Sequence, residues 1–293
     1  MIKPSLNGAQ FWLINDPPSH YYDLIQERLL HMSEKLRSLT ISADQIIEHE
    51  LFERTETIVT CCKQFISIAS KNIALDITSF PKRFFFPLIR IILSHSSVEN
   101  FIITYTRASH YATTIAEDPD PVSNIPLFAP TTHPEPPTKM LFVGIGFDPL
   151  GLPEKFEHDL SSVAIKFLFP FPPGPPHFQR NWEFIRTLEK SLAGQGQPAI
   201  IRVNTWDISE CFDHIVSLTQ SGSGMIYSEF APYGPKPMSV AMCLFAQLAE
   251  MPVFYTQPKV YNPGYSEGIK VFATLPETYA YCIRLCGQDL FTI

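Results

Sequence analysis

Apolar positions fall in short runs separated by turn-forming clusters, and the spacing inside the runs alternates between strand-like and helix-like. The mostly apolar run Ala9 to Ile14 stops at Asn15-Asp16-Pro17-Pro18, which predicts a buried strand ended by a turn. From Tyr21 to Arg37, Ile25, Leu29, Met32 and Leu36 recur at three- and four-residue intervals, so they share one face of a helix that Ser19 is placed to cap. A short strand is expected at Ser38 to Ile41 and a second helix at Leu51 to Ser70. Asn72 to Ile77 reads as a strand with Asp76 near its end. The turn Thr78-Ser79-Phe80-Pro81-Lys82-Arg83 leads from it into an apolar helix reaching Leu93, and Phe101 to Thr106 is a further strand.

The same plan returns later in the chain. Strands are expected at Met140 to Ile145, Val163 to Phe169, Ala199 to Val203, Met225 to Phe230 and Pro252 to Thr256. Helices are expected at Arg180 to Leu192, Ser209 to Leu218 and Met238 to Ala249. Such alternation favours parallel sheets with helices on their faces. Pro81-Lys82 opens an apolar helix followed by a strand ending Tyr105-Thr106, with Tyr111 five residues on. Pro235-Lys236 opens another, followed by a strand ending Tyr255-Thr256, with Tyr261 five residues on. This shared order predicts an α/β chain of two duplicated Rossmann-like units, with mainly parallel sheets and a pseudo-twofold relation. Their bounds are 1–117 and 140–293. The intervening 118–139 is rich in proline and is expected to be an extended linker.

Apolar residues make up 45% of the 293 and charged residues 17%, a composition that packs rather than stays disordered. The net charge of −7 argues against a broad grip on a nucleic-acid backbone, which needs clustered cations, but leaves room for a local basic pocket. Cys61, Cys62, Cys211, Cys243, Cys282 and Cys286 are expected to be mostly buried, reduced thiols. Cys282 and Cys286 have one-turn helical spacing, but no second Cys or His pair lies nearby, so neither a metal nor a cofactor is expected. The segment Met1 to Gln10 lacks the basic start and apolar stretch of a signal peptide. The longest apolar run, Phe84 to Leu93, is broken by Pro87 and Arg90 and falls short of the roughly 18 apolar residues of a membrane span. A cytoplasmic protein without a membrane partner is the expectation.

Ligands of open parallel sheets sit beyond the carboxyl ends of the strands, beside helix N-termini that favour anions. In the first half this rule selects Asn15, Asp16, Asp76, Thr78, Ser79, Lys82, Arg83, Thr104 and Thr106. In the second it selects Asp148, Asn204, Glu229, Tyr233, Lys236, Ser239, Thr256, Gln257 and Tyr261, with Gly234 opening the turn that carries Lys236. A lysine and a serine at a helix start suit a phosphate or another small anion, and the paired Pro-Lys turns put cations at the same sheet edge in both halves. Asp76 and Glu229, late in their strands, form a carboxylate pair across the halves or each cap their own turn. Gly144 to Gly151 does not have the spacing of a dinucleotide fingerprint, and His110, His133, His158, His177 and His214, five of the nine histidines, show no metal-ligand spacing with one another. The loop Pro170 to Pro176, with His177 and Arg180 beyond it, reads as a rigid connection.

Gly234-x-Lys236-x-Met238-Ser239 resembles the strand-to-helix G-x-K-x-M-S motif of CRISPR-associated Rossmann-fold domains. The first half departs from it, with Phe80-Pro-Lys-Arg in place of the glycine turn and Phe84 and Phe85 in place of Met and Ser. The resemblance implies binding of cyclic oligonucleotides or related messengers between two such domains, here fused in tandem, in a sensor of bacterial defence that signals to a partner protein. The residues also admit an enzyme acting on a nucleotide through Asp76 or Glu229, and a scaffold binding another protein through its proline- and aromatic-rich surface.

Overall fold

The computed structural model describes residues 8–39, 41–131, 137, 139–156, 162–172, 178–192, 198–222 and 224–293. It opens with β1 (Phe11–Asn15), α1 (Tyr22–Ser38) and β2 (Ile46–Glu50), a parallel crossover in which Phe11 pairs with Ile46 and Asn15 with Glu50. Among the described residues of the strand expected at Ser38 to Ile41, none lies in a strand. Ser38 closes α1 instead, and the pairing falls to Ile46–Glu50, whose polar end hid it from a search for apolar runs. Then come α2 (Thr55–Ile68), β3 (Asn72–Asp76), α3 (Lys82–Ser94) and β4 (Asn100–Thr106), with β3 and β4 parallel.

The proline-rich segment is threaded into the fold. After β5 (His110–Tyr111) come β6 (Ala116–Pro119) and β7 (Ser123–Asn124), and Ile125 and Phe128 are buried just beyond. Both of these strands are paired with later parts of the chain; Pro134 and Pro136 lie outside the described residues.

The second half holds β8 (Met140–Gly144), α4 (Leu152–Lys155), β9 (Ala164–Phe171), α5 (Phe178–Ser191), β10 (Ala199–Asn204) and α6 (Ile208–Thr219). A hairpin, β11 (Gln220–Ser221) and β12 (Gly224–Met225), precedes β13 (Ser228–Pro232), α7 (Lys236–Leu248) and β14 (Phe254–Tyr255). Met225 therefore belongs to the hairpin and not to the strand expected at Met225 to Phe230. Strands β10, β9, β8 and β13 form one sheet in that order, all parallel, extended by a parallel bridge from Phe230 to Val253. The chain ends with β15 (Pro258–Tyr261), β16 (Ser266–Glu267), β17 (Val271–Phe272), β18 (Leu275–Pro276), β19 (Thr278–Leu285) and β20 (Gln288–Asp289).

These last strands return to the first half. β15 pairs with β6, β14 with β7 and β16 with β5, while β19 lies antiparallel to β4. The second four-stranded sheet, in the order β20-β19-β4-β3, is consequently mixed and not mainly parallel as expected. Cys282 stands in β19, not in a helix, and Cys286 occupies an exposed turn at φ 50°.

The core joins the halves through α3 and α7. Phe84, Phe85, Phe86, Leu88 and Ile89 of α3 are buried, as is α7 from Pro237 to Ala246. A helix apolar on most of its faces is stable only when surrounded by protein, and these two pack on each other, Cys243 Sγ lying 3.9 Å from the Phe86 carbonyl. Burying each such phenylalanine contributes about 1.5–3 kcal/mol, which offsets the Pro87 inside α3. One apolar cluster thus runs from Leu51 and Ile58 to Val253 and Ile283. Among the described residues no helix is long and apolar enough to cross a membrane, and no His, Cys, Asp and Glu group is placed to hold a metal.

Candidate functional site

A cavity of about 420 Å³ lies where the strand ends of both halves meet the starts of α3 and α7. Asp16 follows β1, Thr78 and Ser79 follow β3, and Thr106 ends β4. Gly146, Phe147 and Asp148 follow β8, and Trp206 follows β10. Tyr233 and Gly234 follow β13, and Tyr261 ends β15. All of them line it.

Lys82 and Lys236 are the first residues of α3 and α7, behind Pro81 and Pro235, and neither N-terminus has a side-chain cap. Each lysine crosses to the opposite half. Lys236 Nζ donates to the carbonyls of Ile77 and Thr78, both at 2.7 Å. Lys82 Nζ sits 4.8 Å above the ring centroid of Tyr255 and has no hydrogen-bond acceptor among the described residues. An ammonium has three donors, so Lys236 keeps one and Lys82 all three. Both lysines are partly exposed, and both line the cavity. Loss of hydration brings Lys82 down to about 7, and the same cause, joined by the charge of Lys82 and opposed by Asp76, brings Lys236 to about 7. The Asp16 carboxyl is pushed up to about 6 by burial, against a hydrogen bond from the backbone of Tyr261.

The wall is aromatic. Tyr105 and Trp206 stack with centroids 6.1 Å apart, Trp206 continues onto Tyr279 at 5.4 Å, and Arg107 lies 4.3 Å over the Trp206 ring while paired to Glu277. Tyr111 and Phe147 approach to 6.0 Å, and Tyr233 and Tyr255 to 5.0 Å. Thr106 is held by Thr78, whose Oγ1 accepts the Thr106 N–H at 2.9 Å. Tyr261 accepts from Gln257 Nε2 at 3.0 Å.

Glycine at positions 146 and 234 answers to packing. A Cβ on Gly146 would lie 1.9 Å from the Tyr233 carbonyl oxygen, and one on Gly234 would lie 2.7 Å from Met238 Sδ and 3.2 Å from the Ile145 carbonyl. The turns after β8 and β13 touch, and the contact presents Lys236 to the cavity.

Not every residue selected from the sequence reaches the cavity. Arg83 turns away and donates to the Glu53 carbonyl at 2.7 Å. Ser239 is buried and back-bonds to the Pro235 carbonyl at 3.1 Å. Thr256 lies beneath Tyr233, whose hydroxyl donates to its Oγ1 at 2.7 Å. None of these three lines the cavity. Nor do Asp76 and Glu229, which hold local partners: Asp76 accepts the Thr78 N–H at 2.8 Å, and Glu229 lies 3.5 Å from Lys155 Nζ. The carboxyls that do line it are Asp16 and Asp148.

Sequence reasoning missed the 113–116 segment, Tyr111, Trp206, Tyr265 and Asn181, all of which line the cavity. Trp206 and Asn181 carried a faint signal, each close behind an expected strand or at an expected helix start. The others arrive through distant pairing. His177 lies outside the described residues, whereas Arg180 lines the cavity and donates to the Thr113 carbonyl at 2.5 Å. Compared with protein-family models, curated proteins and solved structures, the chain matches none.

Proposed function

We propose that this chain is a sensor module that binds a nucleotide or nucleotide-derived ligand between two Rossmann-like halves and signals the bound state to a partner protein. One observation carries the reading: two lysines, one from each half, stand at uncapped helix starts on a single cavity, with burial lowering the affinity of both for protons and the charge of Lys82 lowering that of Lys236 further. Two ammoniums kept partly dehydrated are costly alone, and an anion between them offsets that cost. The helix starts add backbone N–H groups and the positive end of each dipole. Tyr105, Tyr111, Phe147 and Trp206 offer ring faces and edges of the kind on which bases stack.

The duplicated, pseudo-twofold arrangement is part of this proposal. It is supported by the like placement of β3-α3-β4 and β13-α7-β14, by the packing of α3 on α7, and by the reciprocal reach of Lys82 and Lys236. The specific version, a sensor of nucleotide messengers in bacterial defence, rests on the G-x-K-x-M-S resemblance. Turnover by strand-end carboxylates has less behind it, because Asp76 and Glu229 do not line the cavity.

The test is a thermal-shift screen against mono-, di- and cyclic oligonucleotides, with Lys82→Met alongside. Ligand binding to the folded state raises its apparent stability. The expected result is a nucleotide-specific rise that the variant loses, and a flat screen contradicts the reading. A scaffold is the second reading. It is favoured by the hairpin of β17 and β18, whose Phe272 and Leu275 are 77% and 70% exposed, and it predicts that flat screen.

A further inference from the structure

The start of α5 carries a second feature of the cavity. Asn181, in the first turn of this helix, lines the cavity although only 5% of its surface is exposed, and its Nδ2 has no hydrogen-bond acceptor among the described residues. A buried amide donor without a partner carries a desolvation cost that a stable fold normally avoids. Its neighbour Arg180 is already engaged, with Nη2 on the Thr113 carbonyl at 2.5 Å and Nε 3.9 Å from Glu183. The free capacity at this end is therefore a neutral donor, in contrast to the lysines.

The sheet gives the spacing. Pro170, near the end of β9, lines the cavity beside α5, and β9 and β13 stand two places apart in the order β9-β8-β13. Strands lie about 4.8 Å apart, so roughly 10 Å separates the β9 end from the β13 end that presents Lys236. Phe147, following the intervening β8, lies on the same wall.

We infer that Asn181 is a specificity-determining residue: its amide donates to an uncharged acceptor of the ligand, of the kind a nucleobase carbonyl provides, while the ligand's anionic group sits at the lysines. This rests on the nucleotide reading above. The site then takes a two-part ligand, an anion joined to an acceptor-bearing ring, and discriminates against phosphorylated sugars without a base.

The test titrates the full chain calorimetrically with uridine 5′-monophosphate and with ribose 5-phosphate, for wild type and Asn181→Leu, and records the melting temperature of both proteins without ligand. The expected result is a preference for the nucleotide of roughly tenfold or more, the worth of one well-made hydrogen bond to a buried donor. Asn181→Leu lowers that preference by roughly tenfold, the share the amide adds to base stacking, leaves ribose 5-phosphate unchanged, and melts at or above the wild-type temperature because an unpaired donor is gone. A preference undiminished in Asn181→Leu overturns the inference alone, and equal affinity of wild type for the two probes overturns it together with the nucleotide reading. A lowered melting temperature in Asn181→Leu also overturns it, by showing a structural role for the amide. Binding of neither probe removes the nucleotide reading and this inference with it.

Discussion

Lys236 reaches across the molecule to Thr78, its Nζ donating to the Thr78 carbonyl at 2.7 Å while it holds the Ile77 carbonyl at the same distance. The bond ties the start of α7 to the end of β3 and makes Lys236 a strut as well as a cation. Lys82 has no such bond and rests over Tyr255.

The two lysines should therefore separate in stability measurements. Lys236→Ala removes two hydrogen bonds from a charged group and is expected to destabilise by about 1–3 kcal/mol. Lys82→Met removes a dehydrated ammonium without orphaning a carbonyl, so stability near pH 6 should be unchanged or higher. Urea unfolding of the three proteins checks this. A loss in Lys82→Met as large as that in Lys236→Ala would contradict the division of roles.

The pH dependence follows from the same groups. Lys82 and Lys236 titrate near 7 in the fold against an ordinary 10.5, so between these values the unfolded chain holds more protons, and stability rises as pH increases. Asp16 titrates near 6 against an ordinary 3.8, so there the folded chain holds more protons, and stability falls as pH increases. These three groups together place a minimum of stability between about pH 6 and 7. Urea midpoints across pH 4–10 should show it, and Lys82→Met should flatten the alkaline limb.

Gly146→Ala should be severe. The added methyl meets the Tyr233 carbonyl at 1.9 Å, and backbone must move to admit it. The expected loss is about 3 kcal/mol, the upper end for overpacking, with a displaced Lys236 turn. Circular-dichroism melting of the variant measures it, and a change within the noise would show that the two turns are not in close contact.

Trp206 offers a reporter. It is one of three tryptophans and the one that lines the cavity. A ligand on the aromatic wall should change intrinsic fluorescence, and Trp206→Phe should abolish the change while Trp12 and Trp182 still emit. A signal that persists in Trp206→Phe places the ligand elsewhere.

The features that local chemistry writes into the chain were legible. Pro81-Lys82 and Pro235-Lys236 announced helix starts, and Asp16 followed an apolar run into a turn. The G-x-K-x-M-S positions have structural reasons of their own: Gly234 for close approach to Ile145, Met238 buried against it, and Ser239 bonded back into its helix. A side chain's place in a motif does not say which way it points, and for Arg83 the backbone of Glu53 decides this. Long-range antiparallel pairing was not legible. β19 lies against β4, with Thr278 opposite Thr106, at a sequence separation no periodicity can bridge. Its alternating Tyr279, Tyr281 and Ile283 have the spacing of a strand, yet no strand was expected there, because the one-turn helical spacing of Cys282 and Cys286 competes with it. Tyr261 and Tyr265 reach the cavity through the same late return of the chain.

The state of the two lysines is what suits the cavity to an anion. Carbon-13 labelling of lysine Cε, followed by NMR titration with and without the most stabilising nucleotide of the screen, reads it residue by residue, with Lys82→Met and Lys236→Met for assignment. Two resonances titrating near 7 without ligand, both moving upward when nucleotide is added, are the predicted result. Lysines that all titrate near their ordinary 10.5 and ignore the nucleotide would contradict it.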